Sequence, residues 1–245
     1  MAKVNNRKII SDIFVTNFYK DFGNGRYFHP WMYYPEFSEL TALTRWATEN
    51  DKGTGSTLLT HSKLYNLIKS AKTCLNVDGS FWECGVYEGG SASVLAGVLA
   101  EEDRSLYLFD TFEGIPVSEP ENQDYHPVGE YSTSSIPRLK SMFEINYPDV
   151  YERVSFIQGS IPDTFESFEN EQIAFAHIDV DQYSSVKSCL EFIWPRISVG
   201  GMVVLDDYGD KDCRGALSAT EEFCNINDLH VIYCLEGQGI LIKNN

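Results

Sequence analysis

From Gly79 onward the chain alternates short apolar runs with stretches that repeat at helical spacing, and no other feature limits its possible folds so tightly. The runs are Ser80–Cys84, Leu106–Phe109, Val154–Ile157, Ile173–Ile178, Met202–Leu205, His230–Cys234 and Gly239–Ile242. Such runs suit strands buried on both faces, the condition of a parallel sheet covered by its own crossover helices. Between the first two, Ser91–Ala100 is rich in helix formers and has a crossover's length, with the Ser91 side chain near its start. A second crossover runs from Ser184 to Trp194, where Val186, Leu190 and Ile193 recur at helical spacing. Both fit right-handed β-α-β units. Only Leu235–Gln238 joins the last two runs, too short for a parallel crossover and right for an antiparallel hairpin. The sequence therefore predicts an α/β fold whose sheet has seven strands, mainly parallel with one antiparallel. Ahead of it, Leu64, Leu67, Ile68 and Ala71 mark a helix that packs on the sheet and starts near Thr60, His61 or Ser62.

At 245 residues, one α/β domain with extensions is the simplest count. That domain is expected over 57–245, with an insert at about 111–152 long enough to act as a lid. Residues 1–56 form an aromatic-rich extension, including Phe18, Tyr27, Trp31 and Tyr34, expected to pack, to contact substrate or to join copies in a homo-oligomer. Asp and Glu number 36 against 19 Lys and Arg, so nucleic acid and anionic membranes are repelled rather than gathered. No stretch approaches the roughly 20 apolar residues of a membrane span, and no apolar run of signal-peptide length follows the N-terminus. The cytosol is the expected location. The six cysteines stand singly, without metal-cluster or disulfide spacing. Cys213 lies in a loop-like stretch open to exposure, and none of its neighbours marks it as a nucleophile.

The segment Glu83-Cys84-Gly85-Val86-Tyr87-Glu88-Gly89-Gly90-Ser91 stands where the first strand passes into the first crossover helix. Glycines there let the backbone turn sharply and approach a ligand, and the helix start presents free N–H groups. Glu83 and Glu88 oppose a pyrophosphate but suit a sulfonium and an ammonium, which favours S-adenosylmethionine over NAD. Asp110, followed by Thr111, ends the second strand where doubly wound folds put the acid that binds ribose hydroxyls. Gly159 and Ser160, after the third strand, line the adenine pocket by position.

Asp179 and Asp181 end the fourth strand, and Asp206 and Asp207 the fifth. Four carboxylates converging at one sheet edge repel one another, so the arrangement asks for a hard cation with oxygen ligands, magnesium being the natural one.

These motifs, with Asp110-Thr111-Phe112-Glu113-Gly114-Ile115-Pro116, His177-Ile178-Asp179-Val180-Asp181 and Gly200-Gly201 through Asp206-Asp207-Tyr208, resemble the macrocin O-methyltransferase family. The resemblance runs from about residue 58 to 224. It implies the class I methyltransferase fold, metal ligation by Asp179, Asp206 and Asp207, and Asp181 as general base. It also implies S-adenosylmethionine at the glycine turn and Asp110, and methyl transfer to a hydroxyl of a small molecule such as a sugar. His126, in the insert, is a second candidate base. Two other readings compete. Asp179-Val180-Asp181 is also a D-x-D of the kind found in metal-dependent glycosyltransferases, and the fold also serves non-catalytic subunits that bind S-adenosylmethionine.

Overall fold

In the computed structural model, residues 34, 36–41, 44–46, 55–133 and 135–244 are described. The chain divides into two compact units, Met1–Glu39 and Leu40–Asn245. Most of the N-terminal extension, and with it the contacts expected of its aromatic residues, lies outside the described residues.

The second unit holds the elements β1 (Thr44–Trp46), β2 (Gly55–Thr57), α1 (His61–Thr73), β3 (Ser80–Cys84), α2 (Gly90–Val98) and β4 (Leu106–Asp110). After them come α3 (Ile136–Asn146), β5 (Val154–Gln158), β6 (Ile173–Ile178), α4 (Tyr183–Ile193), β7 (Ile197–Leu205), α5 (Arg214–Asn227), β8 (Ile232–Tyr233) and β9 (Gly239–Ile242). Strands β1 and β2 form a small parallel pair of their own. The main sheet has seven strands in the order β5-β4-β3-β6-β7-β9-β8. All its pairings are parallel except those of β9, which runs antiparallel to both β7 and β8. This is the sheet expected from the alternation of apolar runs.

Burial explains why those runs become strands. Every residue of β3 and β6 is buried, as strands flanked and covered on all sides must be. Trp82 of β3 anchors an aromatic cluster with Phe109, Phe165 and Phe168, and its Nε1 donates to Ser80 Oγ at 3.0 Å. At the sheet edge, β8 keeps only two residues of the expected His230–Cys234, and both are exposed. Helix α1 begins after Thr60, whose hydroxyl accepts from Lys63 N at 3.3 Å. It packs against α2, and α4 packs against α5.

Strand order reverses between β3 and β6, since the chain builds outward from β3 through β4 to β5 and then returns to start β6 and β7. Side chains at the carboxyl ends of these two strands therefore border the crevice where doubly wound sheets bind ligands.

The insert is fastened to the sheet domain through two acidic side chains. Asp124 is fully buried, and its two carboxylate oxygens accept from Tyr183 N at 2.8 Å and Gly215 N at 2.9 Å. It thereby caps the starts of α4 and α5, where free N–H groups and the helix dipole favour an anion. Gly215 is required for this, because a Cβ there would lie 2.1 Å from Asp124 Oδ2. Glu119 adds bonds to the Ser184 hydroxyl and backbone N–H, and Gln182 Nε2 donates to Val117 O at 2.6 Å.

Candidate active site

One cavity opens at the β3–β6 crevice, and its wall carries both the glycine turn and the carboxylates of the second sheet half. Gly85 shows how tightly the crevice is built. Its φ of +87° is left-handed, and a Cβ on it would fall 1.7 Å from the carbonyl oxygen of Asp179. The same junction is closed by Asp179 N donating to Cys84 O at 2.8 Å and Gly85 N donating to Phe109 O at 2.9 Å.

Asp110 lies on this wall at the end of β4. One of its oxygens accepts from Val86 N at 2.7 Å and Tyr87 N at 3.0 Å, and the other from Phe112 N at 2.7 Å. The carboxylate thus fixes the glycine turn from the cavity wall. Gly85, Ser91, Thr111 and Gly159 also line the cavity.

Four expected cofactor contacts lie elsewhere. Glu83 is fully buried in β3, where its register pairs it with His177 of β6, and it bonds His177 Nδ1 at 2.9 Å. Neighbouring parallel strands hold registered residues on one face, so Glu83 faces His177 rather than a ligand. Glu88 turns to Arg138 of α3 at 3.3 Å. Gly89 is taken up in starting α2, with φ +80° and Leu139 Cδ2 only 2.6 Å from where its Cβ would stand. Ser160 is exposed and off the cavity wall. The negative charge on the cavity wall therefore comes from aspartates and not from Glu83 or Glu88.

Asp179, Asp181, Asp206 and Asp207 all line the same cavity. Burial, reinforced by the neighbouring carboxylates, raises the Asp179 and Asp207 carboxyls well above the ordinary range. Asp206 behaves oppositely. Burial would raise it, but bonds and charges from His177 and Lys63 outweigh that and hold it down at about 2. Lys63 Nζ contacts Asp206 Oδ2 at 2.6 Å and donates to Asp206 O at 3.1 Å, and Gln238 Nε2 donates to Asp206 Oδ1 at 2.8 Å. His177 is pulled down by burial, then lifted to about 10 by Asp206 and Glu83, although its Nε2 stands 3.7 Å from Asp206 Oδ1, an ion pair rather than a hydrogen bond.

Lys63 escaped the sequence reading, and His177 entered it only as the first residue of the His177–Asp181 motif, without a role. The signal for Lys63 was a charged residue on the apolar face of α1, one turn before Leu67 and beside Leu64. His177 carried only the weaker mark of a polar residue inside an unbroken apolar run. These two cations offset part of the charge. Asp179 and Asp207 receive less of that compensation than Asp206, and their carboxyls stay raised.

The two candidate bases are brought together. Asp181 has a φ of +58° and a carboxyl raised to about 6 by burial, against the pull of His126 and Cys213. His126 is partnered rather than solvated, since its Nδ1 meets Glu130 Oε2 at 2.7 Å and its Nε2 lies 3.5 Å from Cys213 Sγ. Cys213, far from being exposed, is buried on the cavity wall with its Sγ 3.6 Å from Asp181 Oδ1. No described helix is long and apolar enough to cross a membrane.

Comparison with known proteins gives a consistent result. The sequence model of the macrocin O-methyltransferase family (TylF) matches residues 32–233. A tetracenomycin-type relative from Streptomyces olivaceus, an 8-demethyl-8-(2,3-dimethoxy-alpha-L-rhamnosyl)-tetracenomycin-C 4'-O-methyltransferase, is 30% identical over 202 residues, covering 77% of this chain and 75% of that protein. Mycinamicin III 3''-O-methyltransferase from Micromonospora griseorubida is 27% identical over 187 residues, covering 70% and 72%. In fold, the chain is similar to the O-methyltransferase NovP, with a TM-score of 0.71, 21% identity and 98% of each chain covered.

Proposed function

The chain belongs to the macrocin O-methyltransferase family, and from that premise we propose that it moves a methyl group from S-adenosylmethionine to a sugar hydroxyl of a glycosylated small molecule, assisted by magnesium. One observation carries this reading: a single cavity wall holds both the glycine turn with Asp110 and the four carboxylates Asp179, Asp181, Asp206 and Asp207. One relative acts by name on a rhamnosyl-tetracenomycin. Family membership sets aside the glycosyltransferase reading of Asp179-Val180-Asp181, and the complete acidic set argues for turnover over a silent binding subunit.

Asp179, Asp206 and Asp207 are the residues to hold magnesium. Bound there, the ion would lower the pKa of an acceptor hydroxyl and fix its oxygen. Lys63 and Gln238 keep the Asp206 carboxylate in place without metal. Asp110 accepts the ribose hydroxyls, and the backbone at Gly85 and Gly159 borders the donor. The acceptor oxygen forms a C–O bond as the S–CH3 bond breaks, the sulfonium becomes a neutral thioether, and the hydroxyl proton passes to Asp181. His126 is the alternative acceptor of that proton. The pinned insert excludes water from this exchange. The insert at about 111–152 then shapes the acceptor end of the domain at 57–245.

The test is incubation with magnesium, isotopically labelled methyl donor and a panel of glycosylated natural products beside their aglycones. Mass spectrometry is expected to find label on a sugar ring. Label confined to aglycones, or transfer to neither, would contradict the reading.

A further inference from the structure

The group His126, Cys213 and Asp181 borders the proposed magnesium ligands, with Asp181 N donating to Asp207 Oδ2 at 3.2 Å, and is chemically different from them. Magnesium prefers oxygen donors in an octahedral shell, whereas an imidazole, a thiol and one carboxylate form the donor set of zinc. Their ligating atoms all lie within 4.8 Å of one another. The measured edges are 3.5 Å from Cys213 Sγ to His126 Nε2 and 3.6 Å from Cys213 Sγ to Asp181 Oδ1. A tetrahedral zinc with ordinary bond lengths of ~2.3 Å to sulfur and ~2.0–2.2 Å to nitrogen and oxygen needs sulfur–nitrogen and sulfur–oxygen edges of about 3.5–3.7 Å.

Two further observations point the same way. Glu130 Oε2 holds His126 Nδ1 at 2.7 Å, which leaves Nε2 facing Cys213 and Asp181, the carboxylate–histidine support that zinc ligands commonly carry. The three ligand-bearing segments are also tied together by one buried side chain. Asp124 lies two residues before His126, accepts from Tyr183 N two residues after Asp181, accepts from Gly215 N two residues after Cys213, and pairs with Cys213 by a backbone bridge. The set is thus held in place by the scaffold rather than assembled by an ion. All three residues line the cavity.

We propose that His126, Cys213 and Asp181 form a second metal site for a borderline-soft divalent cation such as zinc, and that its occupancy withdraws Asp181 from proton transfer and switches the enzyme off. Binding replaces the Cys213 S–H bond with a sulfur–metal bond and releases one proton to solvent. The switching role rests on the reading of Asp181 as the base; the site itself does not.

Cobalt(II) is the probe, added to the full-length protein with magnesium saturating, because thiolate-to-cobalt charge transfer gives a near-ultraviolet band only when a cysteine coordinates. One equivalent should produce the band in the wild type and in Asp179→Asn. Cys213→Ser should lose it, and His126→Gln should need at least about 10-fold more cobalt. Zinc should inhibit methyl transfer, with at least about 10-fold more zinc needed for half-inhibition of Cys213→Ser relative to its own uninhibited rate. A wild type without the band, or a band that survives Cys213→Ser, would overturn the site. A wild-type band with no inhibition by zinc would leave the site standing and remove Asp181 as the base.

Discussion

Asp110 illustrates how one side chain serves fold and chemistry together. Its oxygens satisfy three backbone N–H groups of the flanking turns, so the carboxylate is fixed before any ligand arrives. Replacing it with alanine is expected to weaken S-adenosylmethionine binding by about 1.5–3 kcal/mol, the contribution of a charge-assisted bond, with part of the loss coming from a loosened turn. Calorimetry on the folded variant checks this, and unchanged affinity would remove Asp110 from the donor site. The aspartates were legible in the sequence because each ends an apolar run, and strand ends of open α/β sheets face ligands. Glu83 was misread for the complementary reason: it stands one residue before the strand end, where a paired strand, not the cavity, receives its side chain. Lys63 was passed over because its helix belongs to the scaffold, although its ammonium reaches Asp206 from 143 residues away in sequence.

At the scale of elements, the sheet was readable almost entirely from the runs, since burial on both faces leaves an unmistakable apolar signature in β3 and β6. Only β8, exposed at the edge, shrank against expectation. The insert was not readable, because nothing local in Glu119 or Asp124 announces that they cap helices about 60 and 90 residues further along the chain. Asp124→Ala is expected to cost about 2–4 kcal/mol of unfolding free energy in urea titrations, because two charge-assisted bonds to helix starts are lost. Asp124→Asn should cost less, since its one carbonyl oxygen can still accept from one of the two amides. Equal stability of the alanine variant and the wild type would mean that the insert is not fastened through Asp124.

For the molecule as a whole, the two halves of the sheet bring two chemistries to one crevice. The β3–β4 half supplies the glycine turn and Asp110, and the β6–β7 half supplies the carboxylates, with the strand reversal placing them face to face. Asp179 is proposed as a metal ligand and Asp181 as the proton acceptor, though Val180 alone separates them. The decisive measurement is kcat across a magnesium titration for Asp179→Asn and Asp181→Asn. Asp179→Asn should raise the magnesium needed for half activity. Asp181→Asn should keep the wild-type magnesium midpoint and S-adenosylmethionine affinity while kcat falls by ~10²–10⁴-fold. Equal shifts of the midpoint in both variants, or normal kcat restored to Asp181→Asn by excess magnesium, would contradict the assignment and move the base to His126.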